Sequence, residues 1–152
     1  MVEIERKFLI DTELWKPTVK GIKIIQGYLS IDAEKVIRVR VADEQGFLTI
    51  KGKAKGIVRP EFEYEIPKNE AEILLSMCNG LVVEKYRFKE IFMGMLWEVD
   101  VFEGKNKGLF LAEIELEHEG QEFDLPGWVG EEVTFDFHYY NSWLARNPFK
   151  DW

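Results

Sequence analysis

The sequence predicts an α+β fold, mainly β: a closed, eight-stranded antiparallel β-barrel with a few flanking helices. Three observations lead there. Polar and apolar residues alternate with period two in eight separate segments, which is the signature of strands. A single clear mid-chain segment changes to the helical period. Short turn sequences, Asp43-Glu44-Gln45-Gly46 and Phe92-Met93-Gly94 among them, join neighbouring segments and favour antiparallel pairing. An eight-stranded meander closes readily because closure removes exposed edges. The length of 152 residues suits one domain spanning 1–152. An aromatic content of 14% also favours strands over a pure helix bundle.

The first strand covers residues 2–10, with Glu3, Glu5 and Lys7 on one face and Ile4, Phe8 and Ile10 on the other. Residues 22–31 follow, with Gln26 and Tyr28 sharing a face. Residues 35–42 set Arg38 and Arg40 against Ile37, Val39 and Val41, and residues 46–53 set Thr49, Lys51 and Lys53 against Leu48 and Ile50. Residues 59–66 place Arg59, Glu61, Glu63 and Glu65 opposite Phe62, Tyr64 and Ile66. A helix is then expected, capped by Asn69 with Glu72 completing a capping box, and stopped by Asn79-Gly80. Strands resume at 82–91 with Lys85, Arg87 and Lys89 aligned, at 95–102 with Glu98 and Asp100 aligned, and at 109–118 with Glu113, Glu115 and Glu117 aligned. Two shorter helical pieces are expected, one near Thr12–Lys16 before Pro17, the other from the cap Asp136 to about Arg146.

Composition excludes several classes. One cysteine, Cys78, rules out a disulfide framework. No apolar run approaches the roughly 20 residues of a membrane span, and the acidic start Glu3-Ile4-Glu5 lacks the core of a signal peptide. A cytoplasmic location with no membrane partner is expected. The net charge of -8, from 28 acids against 20 bases, repels nucleic-acid backbones. It leaves room for a small anion in a local basic pocket, brought in with divalent cations.

The pattern of charge is more informative than its sum. An alternating strand commonly turns its charges to water and its apolar side to a core, and such solvated faces mix signs. Here each row has one sign: Glu3 with Glu5, Arg38 with Arg40, Lys51 with Lys53, Glu61 with Glu63 and Glu65, Lys85 with Arg87 and Lys89, Glu113 with Glu115 and Glu117. Residues i and i+2 on a strand lie about 7 Å apart, so like charges there repel unless an opposite row or a ligand sits among them. Segregated rows fit polar faces turned inward around a filled tunnel. Basic rows would hold a polyanion and acidic rows its metal ions. Arg suits bidentate phosphate contacts and Lys a point charge, while clustered carboxylates suit Mg²⁺ or Mn²⁺. The apolar faces would point outward, covered by the helices or by a second subunit in a homodimer.

Glu3-Ile4-Glu5-Arg6-Lys7 matches an ExExK motif, and an ordered set continues it: Gln26-Gly27-Tyr28-Leu29, Ile37-Arg38-Val39-Arg40, Thr49-Ile50-Lys51, Arg59 with Glu61 and Glu63, Lys85-Tyr86-Arg87, Val99-Asp100-Val101-Phe102, Ala112-Glu113-Ile114-Glu115-Leu116, then Glu132-Val133-Thr134, Asp136, Tyr139, Asn141 and Leu144-Ala145. Across nearly its whole length the chain resembles the CYTH superfamily, the triphosphate tunnel metalloenzymes, and looks most like the small bacterial inorganic triphosphatases. The tail departs from the family pattern: His138 stands where an Arg is usual, and Phe135 and Phe137 stand where a Gly and a Pro are usual.

The resemblance implies an eight-stranded tunnel, a divalent metal (Mg²⁺ or Mn²⁺) and a small-molecule triphosphate substrate. It implies that Glu3, Glu5 and Glu115 hold a first metal. Glu61, Glu63, Asp100 and Glu113 would hold or orient a second metal and the attacking water. Lys7, Arg38, Arg40, Lys51, Lys53, Arg59, Lys85 and Arg87 would grip the triphosphate. The residues taken as catalytic are Glu61, Glu63, Lys85 and Asp100, and the tail is expected to plug one tunnel end. The same scaffold also carries class IV adenylyl cyclases and thiamine or nucleoside triphosphatases, which are the alternative activities. A non-catalytic polyphosphate or nucleotide binding module is the alternative of another class. Glu65, Lys89, Glu98 and Glu117, near strand ends, are expected to be solvated or structural. Tyr28 suits substrate contact or lining equally. His118 and His138 lack zinc-like spacing, Cys78 suits packing, and Trp128, Trp143 and Trp152 suit packing or an interface.

Overall fold

The computed structural model describes residues 1–152. Eight strands form the barrel: β1 (Val2–Ile10), β2 (Ile22–Ile31), β3 (Lys35–Ala42), β4 (Gln45–Gly52), β5 (Val58–Ile66), β6 (Val82–Phe92), β7 (Met95–Phe102) and β8 (Phe110–Glu115). All neighbours are antiparallel in the order β5-β4-β3-β2-β6-β7-β8-β1, and β1 returns to β5 through Val2↔Pro60, Glu3↔Arg59 and Ile4↔Val58. A ninth strand, β9 (Val129–Glu132), pairs with the far end of β1 at Phe8↔Glu132 and Ile10↔Val129. The sequence reading did not include it, since four residues are too few to show a period.

Tight turns fix the registers. Met93 (φ 48°) and Gly94 (φ 77°) form the two-residue β6–β7 hairpin, the left-handed pair that matches strand twist. Helix α1 (Lys68–Ser76) begins two residues earlier than the capping box implied: Pro67 occupies the cap without a side-chain bond, so Asn69 and Glu72 are interior. It ends at Ser76 with Met77 as its C-cap, two residues short of the expected Cys78, and Asn79 and Gly80, at φ 52° and 81°, turn the chain just beyond. The piece near Thr12–Lys16 is a single turn, closed by the Leu14 and Trp15 N–H groups on the Asp11 carbonyl, with Pro17 two residues beyond. The tail divides in two: Asp136 caps a 3-10 turn at Phe137–Tyr139, and Tyr140 in extended conformation separates it from α2 (Asn141–Arg146). No helix is long and apolar enough to cross a membrane.

Two apolar clusters lie on the barrel's outer face. One joins Ile4, Phe8, Trp97, Val99, Ala112 and Ile114, covered by Trp15, Phe123 and Trp128 from the connecting segments. The other joins Val39 and Val41 to Ala71 and Cys78 under α1. Packing there is close, because a Cβ on Gly27 would stand 2.6 Å from Cys78 Sγ. The third cluster is inside. Val83, Phe102, Leu109 and Leu111 continue the inward parity of Lys85, Asp100 and Glu113, and they bury Leu144 of α2 together with Val133. Thus α2 plugs the β6–β8 side of one barrel end. The outer face of β5 leaves Phe62 and Tyr64 exposed.

Candidate functional site

The inward rows enclose a cavity of about 560 Å³. Its lining runs the length of β4, from exposed Asp43, Glu44 and Gln45 at one end to exposed Ala54 and Gly56 at the other. At the second end the lining is completed by Thr134, Phe135, Tyr140 and Ser142 beside the α2 plug. The cavity is therefore a tunnel whose walls are strand side chains.

The register explains why the charged rows meet. Glu5 pairs with Glu115, Lys7 with Glu113, Arg38 with Thr49, Lys51 with Glu61 and Arg87 with Asp100. Of the expected residues, Glu3, Glu5, Lys7, Arg38, Arg40, Lys51, Arg59, Glu61, Glu63, Lys85, Arg87, Glu113 and Glu115 all line the cavity. Lys53 does not. It lies past the end of β4, 69% exposed, 3.8 Å from Glu34. Glu98 and Lys89, expected to be solvated or structural, do line the cavity, and Glu98 accepts from Arg87 at 3.2 Å. Glu65 and Glu117 are outside it. Tyr28 is buried in the lining and accepts a hydrogen bond from Gln26.

Asp100, expected among the catalytic and metal-holding residues, is not in the lining. It is fully buried behind the lining, and its two oxygens accept from Lys85 Nζ, Arg87 Nε and Arg87 Nη2, each at 2.8 Å. Both oxygens accept from these two cations, so Asp100 orients Lys85 and Arg87 from behind the lining. Burial alone would raise its pKa, but Arg87 and Lys85 hold it below the usual carboxylate range. Burial draws Lys85 down to about 7 despite Asp100, with Arg87 and Arg40 adding to the effect. Burial, Arg38 and Arg87 draw Arg40 down to about 9. Several like charges are thus held together at a cost that an anion between them would relieve. Arg38 adds a donor: its Nε is buried without a partner in the chain, while Nη2 donates to Thr49 at 3.2 Å.

The acids show the opposite need. Burial, then Glu113 and Glu3, raise Glu5 well above its ordinary value. Burial and Glu3 raise both Glu61 and Glu115. Glu113, although buried, is drawn well below by Lys7, Arg87 and Lys85. Glu3 is held below by Lys51, which donates to both its oxygens at 3.0 Å. No three carboxylates converge into a preformed cage. That suits Mg²⁺, which keeps waters and takes one or two carboxylates together with substrate oxygens. Glu5 and Glu115, partners across β1 and β8, are two such oxygen donors and fit a hard divalent cation.

The tail's unusual residues stand at or beyond the rim. Phe135 is 70% exposed at the tunnel mouth. His138 stacks on Phe137 with ring centroids 4.2 Å apart and does not line the cavity. Trp143 packs on Phe137, and Trp152 on Tyr139 and Phe149. Asn141 was not assigned a role from sequence, yet its Oδ1 accepts from Lys85 at 3.0 Å and from Gln26 at 3.2 Å. Its only sequence signal was its place in the tail motif.

The CYTH domain family model matches residues 1–141. An inorganic triphosphatase of Acetivibrio thermocellus is 49% identical over 150 residues, covering 98% of this chain and 96% of that one. An inorganic triphosphatase of Nitrosomonas europaea is 38% identical over 149 residues, covering 95% and 97%. The crystal structure of the inorganic triphosphatase NE1496 superposes with a TM-score of 0.68 at 36% identity, covering 94% of this chain and 93% of that one.

Proposed function

Because the chain belongs to the CYTH domain family, we propose that it is a divalent-metal-dependent triphosphatase that hydrolyses inorganic tripolyphosphate to pyrophosphate and phosphate. The carrying observation is the tunnel itself. Facing rows of cations and carboxylates from seven of the eight barrel strands, with Gln26 and Tyr28 from β2, enclose about 560 Å³, and the two full-length relatives are inorganic triphosphatases.

Phosphoryl transfer asks chiefly for positioning and charge stabilisation. Arg38, Arg40, Lys51, Arg59, Lys85 and Arg87 come from four strands and surround a linear anion, so the reacting phosphorus is fixed without a large motion of the chain. Lys7 joins them, held by the Tyr139 carbonyl at 3.1 Å and Glu113 at 3.4 Å. Their charge also offsets the charge that develops on the departing pyrophosphate. Mg²⁺ or Mn²⁺, held by Glu5 and Glu115 together with substrate oxygens, with Glu3 and Glu113 next to them on the same strands, would supply charge neutralisation and a more acidic bound water. Glu61, whose carboxyl is raised by burial and by Glu3, is the acceptor for the water proton, with Glu63 beside it on β5. Glu63 is oriented by Thr49, which donates to it at 2.9 Å.

Product analysis tests this reading. Incubation with tripolyphosphate or ATP, in Mg²⁺ or Mn²⁺, should give phosphate and pyrophosphate from tripolyphosphate. Cyclic AMP as the main product from ATP would assign a cyclase instead, and tight binding without turnover would assign a binding module. A second copy over the exposed Phe62 and Tyr64 of β5 is the dimer we propose, and sedimentation as a monomer at all concentrations would exclude it.

A further inference from the structure

Two amides tie the C-terminal plug to the cations of the tunnel. Gln26 is fully buried on β2. Its Oε1 accepts from Arg40 Nε at 3.1 Å and Nη2 at 2.8 Å. Arg has no acceptor, so this contact sets the amide's orientation and leaves Nε2 to donate elsewhere. It donates to the Tyr28 hydroxyl at 2.9 Å and to Asn141 Oδ1 at 3.2 Å. Asn141, the first residue of α2, also accepts from Lys85 Nζ at 3.0 Å. Lys cannot accept either, so the Asn141 orientation is likewise set.

The result is one continuous chain of bonds, Arg40–Gln26–Asn141–Lys85, bridging β3, β2, α2 and β6. An ammonium carries three N–H donors. Asp100 and Asn141 use two of those on Lys85, which fixes the direction of the third. Arg40 presents to Gln26 only the edge formed by Nε and Nη2, which leaves Nη1 for another acceptor. Both cations line the tunnel.

We propose that Asn141 is a positioning residue for triphosphate turnover, aiming Lys85 directly and Arg40 through Gln26, so that a seated plug helix sets the geometry of the anion grip. This rests on the triphosphatase reading above. A neutral acceptor suits the task. It takes one N–H of the Lys85 ammonium and leaves another free to meet the substrate.

The test compares Asn141→Leu, which keeps the size but removes the acceptor, with Asn141→Asp, which keeps an oxygen facing both donors. Both are read by tripolyphosphate turnover, by calorimetric binding of tripolyphosphate, and by thermal unfolding. Asn141→Leu should lower kcat/KM by about tenfold or more, as expected for misplaced catalytic groups. Its unfolding midpoint should stay near that of the wild type, because Leu144 still anchors α2. Asn141→Asp should recover most of the loss. In a double-mutant cycle with Gln26→Leu the two effects should be less than additive, since both act on one chain of bonds. Equal kcat/KM for Asn141→Leu and wild type would overturn the proposal. So would an Asn141→Asp variant as impaired as Asn141→Leu, or an activity loss that only tracks the unfolding midpoint. Should the wild type bind tripolyphosphate without turning it over, the triphosphatase reading fails alone, and the binding constants of the same variants still decide the role of Asn141.

Discussion

Lys51 of β4 donates to both oxygens of Glu3 at 3.0 Å and stands 3.4 Å from Glu61, across the seam where β1 closes onto β5. A member of a basic row is thus clamped between members of two acidic rows. Two residues along the same chain, Lys53 points to solvent beside Glu34. The two lysines share a parity in the sequence and differ in position because β4 ends at Gly52.

That difference gives a direct prediction. Lys51→Ala should lower tripolyphosphate turnover by about 10²–10³, the scale for removing one preorganised charge contact. Lys53→Ala should stay within about twofold, as surface changes do. Steady-state phosphate release from the two variants checks it, and equal losses would show that both lysines reach the anion.

Asp100 is the sole anion contacting both Lys85 and Arg87 from behind, and all three are buried. Removing one member of such a group strands its partners' charge. Asp100→Asn should therefore cost about 3–5 kcal/mol in urea unfolding. A loss below about 1 kcal/mol would show that water reaches these cations freely.

The raised carboxyls predict a pH-dependent response to cations. Glu5, Glu61 and Glu115 ionise at higher pH in the folded chain than in the unfolded one. Above about pH 4.3, where an unfolded Glu has lost its proton, the folded chain binds more protons, so these groups cost stability as pH rises. Lys85, drawn down to about 7, works oppositely: its cost to folding fades as pH rises through 7. Comparing unfolding midpoints with and without Mg²⁺ at each pH separates the two, because Lys85 is common to both samples. The Mg²⁺ increment should be larger near pH 8 than near pH 5. An increment independent of pH would mean that Glu5 and Glu115 do not hold the cation.

The plug gives a fourth prediction. Leu144 is 1% exposed among Val83, Phe102, Leu109, Leu111 and Val133. Leu144→Ala should destabilise the fold by about 2–5 kcal/mol, as for other buried leucines. A loss well under 1 kcal/mol in chemical denaturation would place α2 outside the barrel's cooperative unit.

The barrel strands were legible because each repeats its period several times and because one-signed rows such as Lys85-Arg87 and Glu113-Glu115 need an enclosed counter-row. The inner apolar cluster was readable in principle. On four neighbouring strands the inward parity passes from charge to hydrocarbon toward one end: Lys7 to Leu9, Lys85 to Val83, Asp100 to Phe102, Glu113 to Leu111. That switch marks where a plug must sit. The commitment of Asp100 to Lys85 and Arg87 was not readable, because alternation reports the face of a strand and not the depth of a side chain. The Gln26–Asn141 contact spans 115 positions, and no local pattern announces it. Lys53 was misplaced because parity continues past a strand end while the structure does not.

Under the proposed function, these rows form one joint site for a phosphate chain and its cation. Phosphate release from tripolyphosphate, followed as Mg²⁺ or Mn²⁺ is titrated into chelator-treated protein, tests it most directly. The expected result is no turnover in chelator and a saturable rise with either ion. Turnover indifferent to the chelator, or none with any divalent ion, would contradict it.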